Sequence, residues 1–248
     1  MTAVSSGTVV CLNDVTVRRG EVLALDSISL EIRAGTVDAL VGMNGAGKST
    51  LFAAIMGLVP LTRGTLTVFG DTPARARAAS RVAFMPQGDA IDIDFPITVA
   101  DVVMMGRFGR LGITRRPRAA DRRAVAESLE RVQLADLAKR PIGTLSGGQR
   151  KRALMARALA QDADVLLLDE PFAGVDRRSE QLIADVLTQL AIEGHSVVVS
   201  THDIANLPDR ADRVILLAQR LITVDTPAAA LAPDMLARAF TASRVHQP

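Results

Sequence analysis

A chain of 248 residues can bury one substantial core with a smaller subdomain attached, which excludes two independent enzymes. Its 29 lysines and arginines face 27 acids, and a net charge of +2 makes no general electrostatic case for nucleic acid, so partners must be argued from sites. A single cysteine, Cys11, excludes an internal disulfide and fits a reducing compartment.

The chain opens without a basic segment followed by an apolar core, and nowhere do eighteen apolar residues run uninterrupted. Neither export nor membrane spanning is expected; the expectation is a soluble, cytoplasmic protein whose membrane role comes through a partner. Val9 to Leu12, Val15 to Val17, Val22 to Leu25 and Ile28 to Ile32 are β-prone pieces separated by Asn13-Asp14, Arg19-Gly20 and Asp26-Ser27. They predict a small antiparallel sheet with Cys11 in its core.

Val37 to Val41, broken only by Asp38, predicts a buried strand, and Leu51 to Met56 predicts a helix. Between them stand Gly42, Met43, Asn44, Gly45, Ala46, Gly47, Lys48, Ser49 and Thr50. Glycines let successive N–H groups turn inward onto phosphate oxygens, and the helix N-terminus adds partial positive charge there. Lys48 is placed to reach the β- and γ-phosphates, and the Ser49 hydroxyl to ligate Mg²⁺. A glycine-rich turn before an ordinary helix is the plain alternative; strand and helix in the required order favour nucleotide binding.

Gly64 to Gly70 and Val82 to Met85 predict two more strands, the second ending at Pro86-Gln87. Asp89, Asp92 and Asp94 follow with no histidine or cysteine near them, so loop carboxylates are expected rather than a transition-metal site. From about Thr98 to Ala160 the period turns helical, in pieces broken by Gly106, Gly109, Gly112, Pro117 and Pro141. The basic run Arg115, Arg116, Arg118, Arg122 and Arg123 is interleaved with Asp121 and Glu127 and has no aromatic platform, which reads as a solvated face. Leu145-Ser146-Gly147-Gly148-Gln149 opens the helix Arg150 to Ala160 and is a second phosphate-gripping helix start. One nucleotide cannot easily use both starts in one chain, so the second is expected to grip nucleotide held by another subunit.

Val165 to Leu168 and Val197 to Val199 are unbroken apolar runs flanked by helical pattern, as in a parallel sheet covered on both faces. Val214 to Leu217 and Leu221 to Val224 predict a hairpin through Gln219-Arg220. The architecture is α/β with a helical insertion.

Gly42 to Thr50, Gln87, Leu145 to Gln149, Asp169-Glu170-Pro171, Asp176 and His202, in this order and spacing, resemble an ATP-binding cassette (ABC) ATPase over nearly the whole chain. The resemblance implies an α/β fold: a P-loop NTPase, RecA-like core with an N-terminal antiparallel β subdomain and an inserted α-helical subdomain. It implies one domain over residues 1–240, with the helical subdomain at about 88–160 and a tail over 241–248. It further implies a head-to-tail homodimer around two ATP molecules, each between one subunit's Lys48 loop and the other's Ser146, Gly147, Gly148 and Gln149. Asp169 and Ser49 would hold Mg²⁺, and Gln87 would link the metal or water to the helical subdomain. Glu170 would polarise the attacking water, His202 would contact the γ-phosphate, and Asp176 would lie in the loop that crosses between subunits.

Taken singly, an Asp-Glu pair is usually surface charge and His202 fits a helix start; their joint occurrence after apolar strands favours the active-site reading. His195 and His246 lack such company. The family's usual adenine-stacking aromatic is replaced by Val17-Arg18-Arg19-Gly20, in a chain without tyrosine or tryptophan. Arg19 can stack on the base, or adenine is held weakly.

One cassette without a coiled-coil arm fits a transporter engine; a metabolite kinase or GTPase leaves Leu145 to Gln149 unexplained. The stretches Asp92 to Gly109 and Pro171 to Asp176 resemble ATPases of manganese, zinc and iron importers. The resemblance implies polytopic permease subunits that hold the protein on the inner face of the cell membrane, an extracytoplasmic solute-binding protein met indirectly, and no nucleic acid. Import of another cargo such as chelated iron, or a soluble non-transport ABC ATPase, remain the alternatives.

Overall fold

The computed structural model describes residues 7–88, 95–112, 115–204 and 207–244. The acidic stretch Asp89, Asp92 and Asp94 and the terminal His246 lie outside them.

The first sheet is built from β1 (Thr8–Arg19), β2 (Val22–Arg33) and, later in the chain, β4 (Arg63–Val68), all antiparallel in the order β2-β1-β4. Four predicted pieces are therefore two long strands. Asp14 and Ser27, which read as turn residues, take left-handed backbone (φ 52° and 53°) inside the strands, and the pairing shifts register there instead of ending. Ordinary strand alternation turns Cys11 off the core: its neighbours Val10 and Leu12 are buried, whereas Cys11 is only half-buried, with Asn13 Nδ2 3.5 Å from its sulfur.

Between these strands come β3 (Val37–Val41) and α1 (Lys48–Ile55), and after β4 come α2 (Pro73–Ala78) and β5 (Val82–Met85). The helical insertion holds α3 (Val99–Met104), α4 (Ala119–Arg131) and α5 (Gly147–Ala160). Then follow β6 (Val165–Asp169), α6 (Arg177–Ile192), β7 (Ser196–Thr201), the hairpin β8 (Arg213–Ala218) and β9 (Arg220–Asp225), and the helices α7 (Pro227–Ala230) and α8 (Pro233–Arg244). Helix α8 thus continues four residues past position 240, into the stretch read as a tail.

The second sheet has the order β5-β6-β7-β3-β8-β9, parallel except for β9, which Gln219 (φ 59°) turns back against β8. Alternation along its strands divides the core. Leu166, Leu168, Val197 and Val199 face α3, α5 and α6, while Leu167, Val198 and Leu40 face α1 and the antiparallel sheet. Asp38, the polar break in β3, is wholly buried and is paired in register with Arg213 of β8 by two bonds of 2.9 and 2.6 Å. Burial pushes its carboxyl up from the usual range, and the guanidinium opposes that shift.

One member of the basic run's surroundings is not solvated. Asp121 is buried, accepting the Arg118 backbone N–H at 2.9 Å and Arg107 Nε–H at 3.0 Å, so it fixes the start of α4 onto the segment after α3. Arg115 and Arg122 stay exposed and spend guanidinium donors on the Phe108 and Pro117 carbonyls.

Candidate active site

The carboxyl ends of β3, β6 and β7 lie side by side, and the segments leaving them carry the Lys48 loop, Asp169-Glu170 and His202. Open parallel sheets bind ligands at this edge. Gly47 caps α1 with φ 99°, and a Cβ there would stand 2.5 Å from the Ala24 carbonyl oxygen, so the loop closes on the first sheet only with glycine. Gly42 packs behind the loop against Leu217, while Met43, Asn44, Gly45, Ala46, Gly47, Lys48, Ser49 and Thr50 line a cleft of about 460 Å³. Lys48 is buried, and its Nζ donates to the Gly42 and Met43 carbonyls at 2.6 and 3.2 Å. Burial pushes its ammonium below the ordinary lysine range, with Glu170 and Asp169 pulling it back up.

Ser49 Oγ donates to Asp169 Oδ2 at 3.1 Å, and the other carboxylate oxygen accepts from the Ser200 hydroxyl. Glu170 has left-handed backbone (φ 51°), a conformation costing of order 1 kcal/mol outside glycine. Its N–H is held by the Ser200 carbonyl (3.2 Å) and hydroxyl (3.1 Å). The buried carboxylate accepts Gln87 Nε2–H at 2.7 Å and lies 3.2 Å from His202 Nδ1, on a ring whose side chain is 66% exposed. Gln87, Glu170 and His202 therefore meet, with the imidazole against the glutamate. Lys151 of α5 donates to the carbonyls of both Gln87 and Glu170 at 3.4 Å. Ser200 and Lys151 escape sequence reading: a serine ending an apolar strand and a lysine on a basic helix carry no distinctive pattern.

Ser49 and Asp169 supply a hydroxyl and a carboxylate, the sparse oxygen set that suits Mg²⁺ when phosphates and water complete the shell. At the outer edge of the cleft, Arg19 ends β1 beside Val22, which is 63% exposed.

Ser146, Gly147, Gly148, Gln149 and Asp176 do not line this cleft. Ser146 caps α5 reciprocally: its Oγ accepts Gln149 N–H at 3.3 Å, and Gln149 Oε1 accepts Ser146 N–H at 2.9 Å. The Gln149 side chain thus serves the cap. Asp176 caps α6, and the N–H and hydroxyl of Ser179 hold its carboxyl below the usual range. Gly148 abuts this cap so closely that a Cβ would lie 2.7 Å from Asp176 Oδ2. The Lys48 loop and the Ser146 helix start thus stand apart in the chain. His195 lies elsewhere, its Nδ1 2.9 Å from the Ala163 carbonyl. Among the described residues, no helix is long and apolar enough to cross a membrane.

Residues 25–173 match the ABC transporter family. The manganese transport system ATP-binding protein MntA of Synechocystis is 48% identical over 200 residues, covering 81% of this chain and 77% of its own. The zinc transport system ATP-binding protein TroB of Treponema pallidum is 41% identical over 229 residues, covering 92% and 85%. Among solved structures, cbiO1 from Clostridium perfringens, part of the ABC transporter complex cbiONQ, superposes with a TM-score of 0.77 at 27% identity, covering 93% of each chain.

Proposed function

Because this chain belongs to the ABC transporter family, as an ATP-hydrolysing cassette, we propose that it powers import of a transition-metal ion, manganese, zinc or iron, through a membrane permease. The observation that carries the chemistry is the convergence of Lys48, Ser49, Asp169 and Glu170 at one strand edge, with a second phosphate-type helix start turned elsewhere. The cargo rests on the likeness to manganese and zinc ATP-binding proteins. We keep residues 1–240 as one cassette, with its helical subdomain at about 88–160.

In this reading the loop N–H groups and Lys48 bind the ATP phosphates, Lys48 exchanging its two carbonyl partners for phosphate oxygens. Ser49 and Asp169 hold Mg²⁺, which supplies charge neutralisation at the phosphates when bound. Glu170 orients and polarises the attacking water, Gln87 holds the glutamate until nucleotide arrives, and His202 turns from Glu170 to the γ-phosphate. Arg19 and Val22 form the adenine side. Ser146, Gly147 and Gly148 of the partner subunit close the site in a head-to-tail homodimer, beside the loop that ends at Asp176. The ATPase then sits on the inner membrane face through polytopic permease subunits, meets a solute-binding protein only indirectly, and never touches the cargo.

Affinity purification of the tagged protein from detergent-solubilised membranes tests the transporter assignment. Recovery with a polytopic membrane protein, and ATPase activity requiring Mg²⁺, is the expected result; recovery with ribosomes or DNA instead would overturn it.

A further inference from the structure

Behind the strand exits lies an ion pair to which the chemistry above gives no role. Arg210 follows the 3₁₀ turn Leu207–Asp209, and its Nη1 stands 2.5 Å from Glu180 Oε1, with side chains only 18% and 20% exposed. Its guanidinium carbon also lies 5.3 Å from the centre of the Phe172 ring, within cation–π range. Each member comes from a different part of the site. Phe172 is two residues past Glu170, Glu180 stands in the first turn of α6 with its N–H on the Asp176 carbonyl at 2.9 Å, and Arg210 ends the segment that carries His202 out of β7.

That segment needs an anchor. His202 is mostly exposed and touches Glu170 through one ring nitrogen, too little to hold a ring in place. Ile204 and Leu207 give apolar anchorage in the cluster shared with Met235 and Leu236 of α8. Arg210 adds a directional tie to the other two segments. Exposed ion pairs contribute little, but this one is mostly withdrawn from water and backed by an aromatic face.

We propose that Arg210, clasped by Glu180 and Phe172, is a positioning residue: it fixes the spacing of the Glu170 carboxylate and the His202 ring and ties both to the helix that Asp176 caps. The proposal rests on the hydrolytic roles of Glu170 and His202 given above.

Steady-state ATP hydrolysis by Arg210→Ala, Glu180→Ala and the reversed pair Arg210→Glu/Glu180→Arg tests it, each variant's Tm being measured alongside. The single variants are expected to lose about tenfold in kcat with KM for ATP changed less than about twofold, because the Lys48 loop does not touch the clasp. The reversed pair is expected to recover to within about threefold of wild type. Wild-type kcat in both single variants would overturn the clasp, as would a reversed pair that melts normally yet stays as slow as the singles. Full turnover by Glu170→Gln would instead break the hydrolytic reading beneath it.

Discussion

Glu170 stands in left-handed backbone with its N–H fixed by Ser200, so the carboxylate is presented to the cleft by the turn itself. Replacing only the charge leaves that turn intact. Glu170→Gln is therefore expected to lower ATP turnover by at least about a hundredfold while ATP binding, followed by a fluorescent analogue, stays within about threefold of wild type. Ser200 offers a second test at this scale, since one hydroxyl serves both Asp169 and the Glu170 N–H. Ser200→Ala removes both bonds, and a kcat lower by about tenfold is expected from steady-state assays. Lys48, Ser49, Asp169 and Glu170 were legible because glycine spacing and an acidic pair after an apolar strand carry their own physical warrant. Ser200 was not, because its role arises only when β7 lies in register beside β6, with Asp169 opposite Ser200.

Among the elements, α5 starts against the cap of α6, and Gly148 stands at that contact. A Cβ on Gly148 would meet Asp176 Oδ2 at 2.7 Å and Ser179 Oγ at 2.9 Å. Gly148→Ala is thus expected to displace the cap of α6 and reduce turnover about tenfold, with nucleotide binding at the Lys48 loop unchanged; matched binding and hydrolysis assays check this. Helix α4 gives a pH test. The Arg118 N–H, with Arg107, holds the Asp121 carboxyl below its ordinary value of 3.8. That stabilisation is complete above 3.8 and is lost as the pH falls through the lower folded value. Asp121→Asn should lower the Tm by several degrees at pH 7, and the gap to wild type should close in melts below pH 3.8. The sequence pointed to the helical insertion and parallel strands through their periods, but split β1 and β2 where Asp14 and Ser27 mimic turns. Local residue preference ends a strand at such positions; cross-strand pairing carried it through. Asp121 was read as solvated for a like reason: charge pattern along a helix does not reveal which acid turns inward to an arginine from another segment.

For the whole molecule, the separation of the two helix starts is the leading fact, and under the proposed head-to-tail pairing a lone chain would be an incomplete site. Two copies placed head to tail would complete two sites at once, so ATP should drive association. Light scattering of Glu170→Gln with ATP and Mg²⁺ is expected to give twice the monomer mass, falling back to the monomer when Lys48→Ala is added. The family and the transport setting were within reach of motif order, whereas the order of the strands in each sheet emerges only from the fold, and the cargo has no residue of its own in this chain and is carried by likeness. The most direct measurement is therefore cell-associated manganese, zinc and iron by elemental mass spectrometry under metal limitation. It would compare a strain lacking this protein with strains complemented by wild type or by Glu170→Gln. Loss of one of these metals, restored by wild type and not by Glu170→Gln, is the expected result. Equal metal content in all strains, with redundant importers removed, would contradict metal import and leave an ABC ATPase serving another cargo.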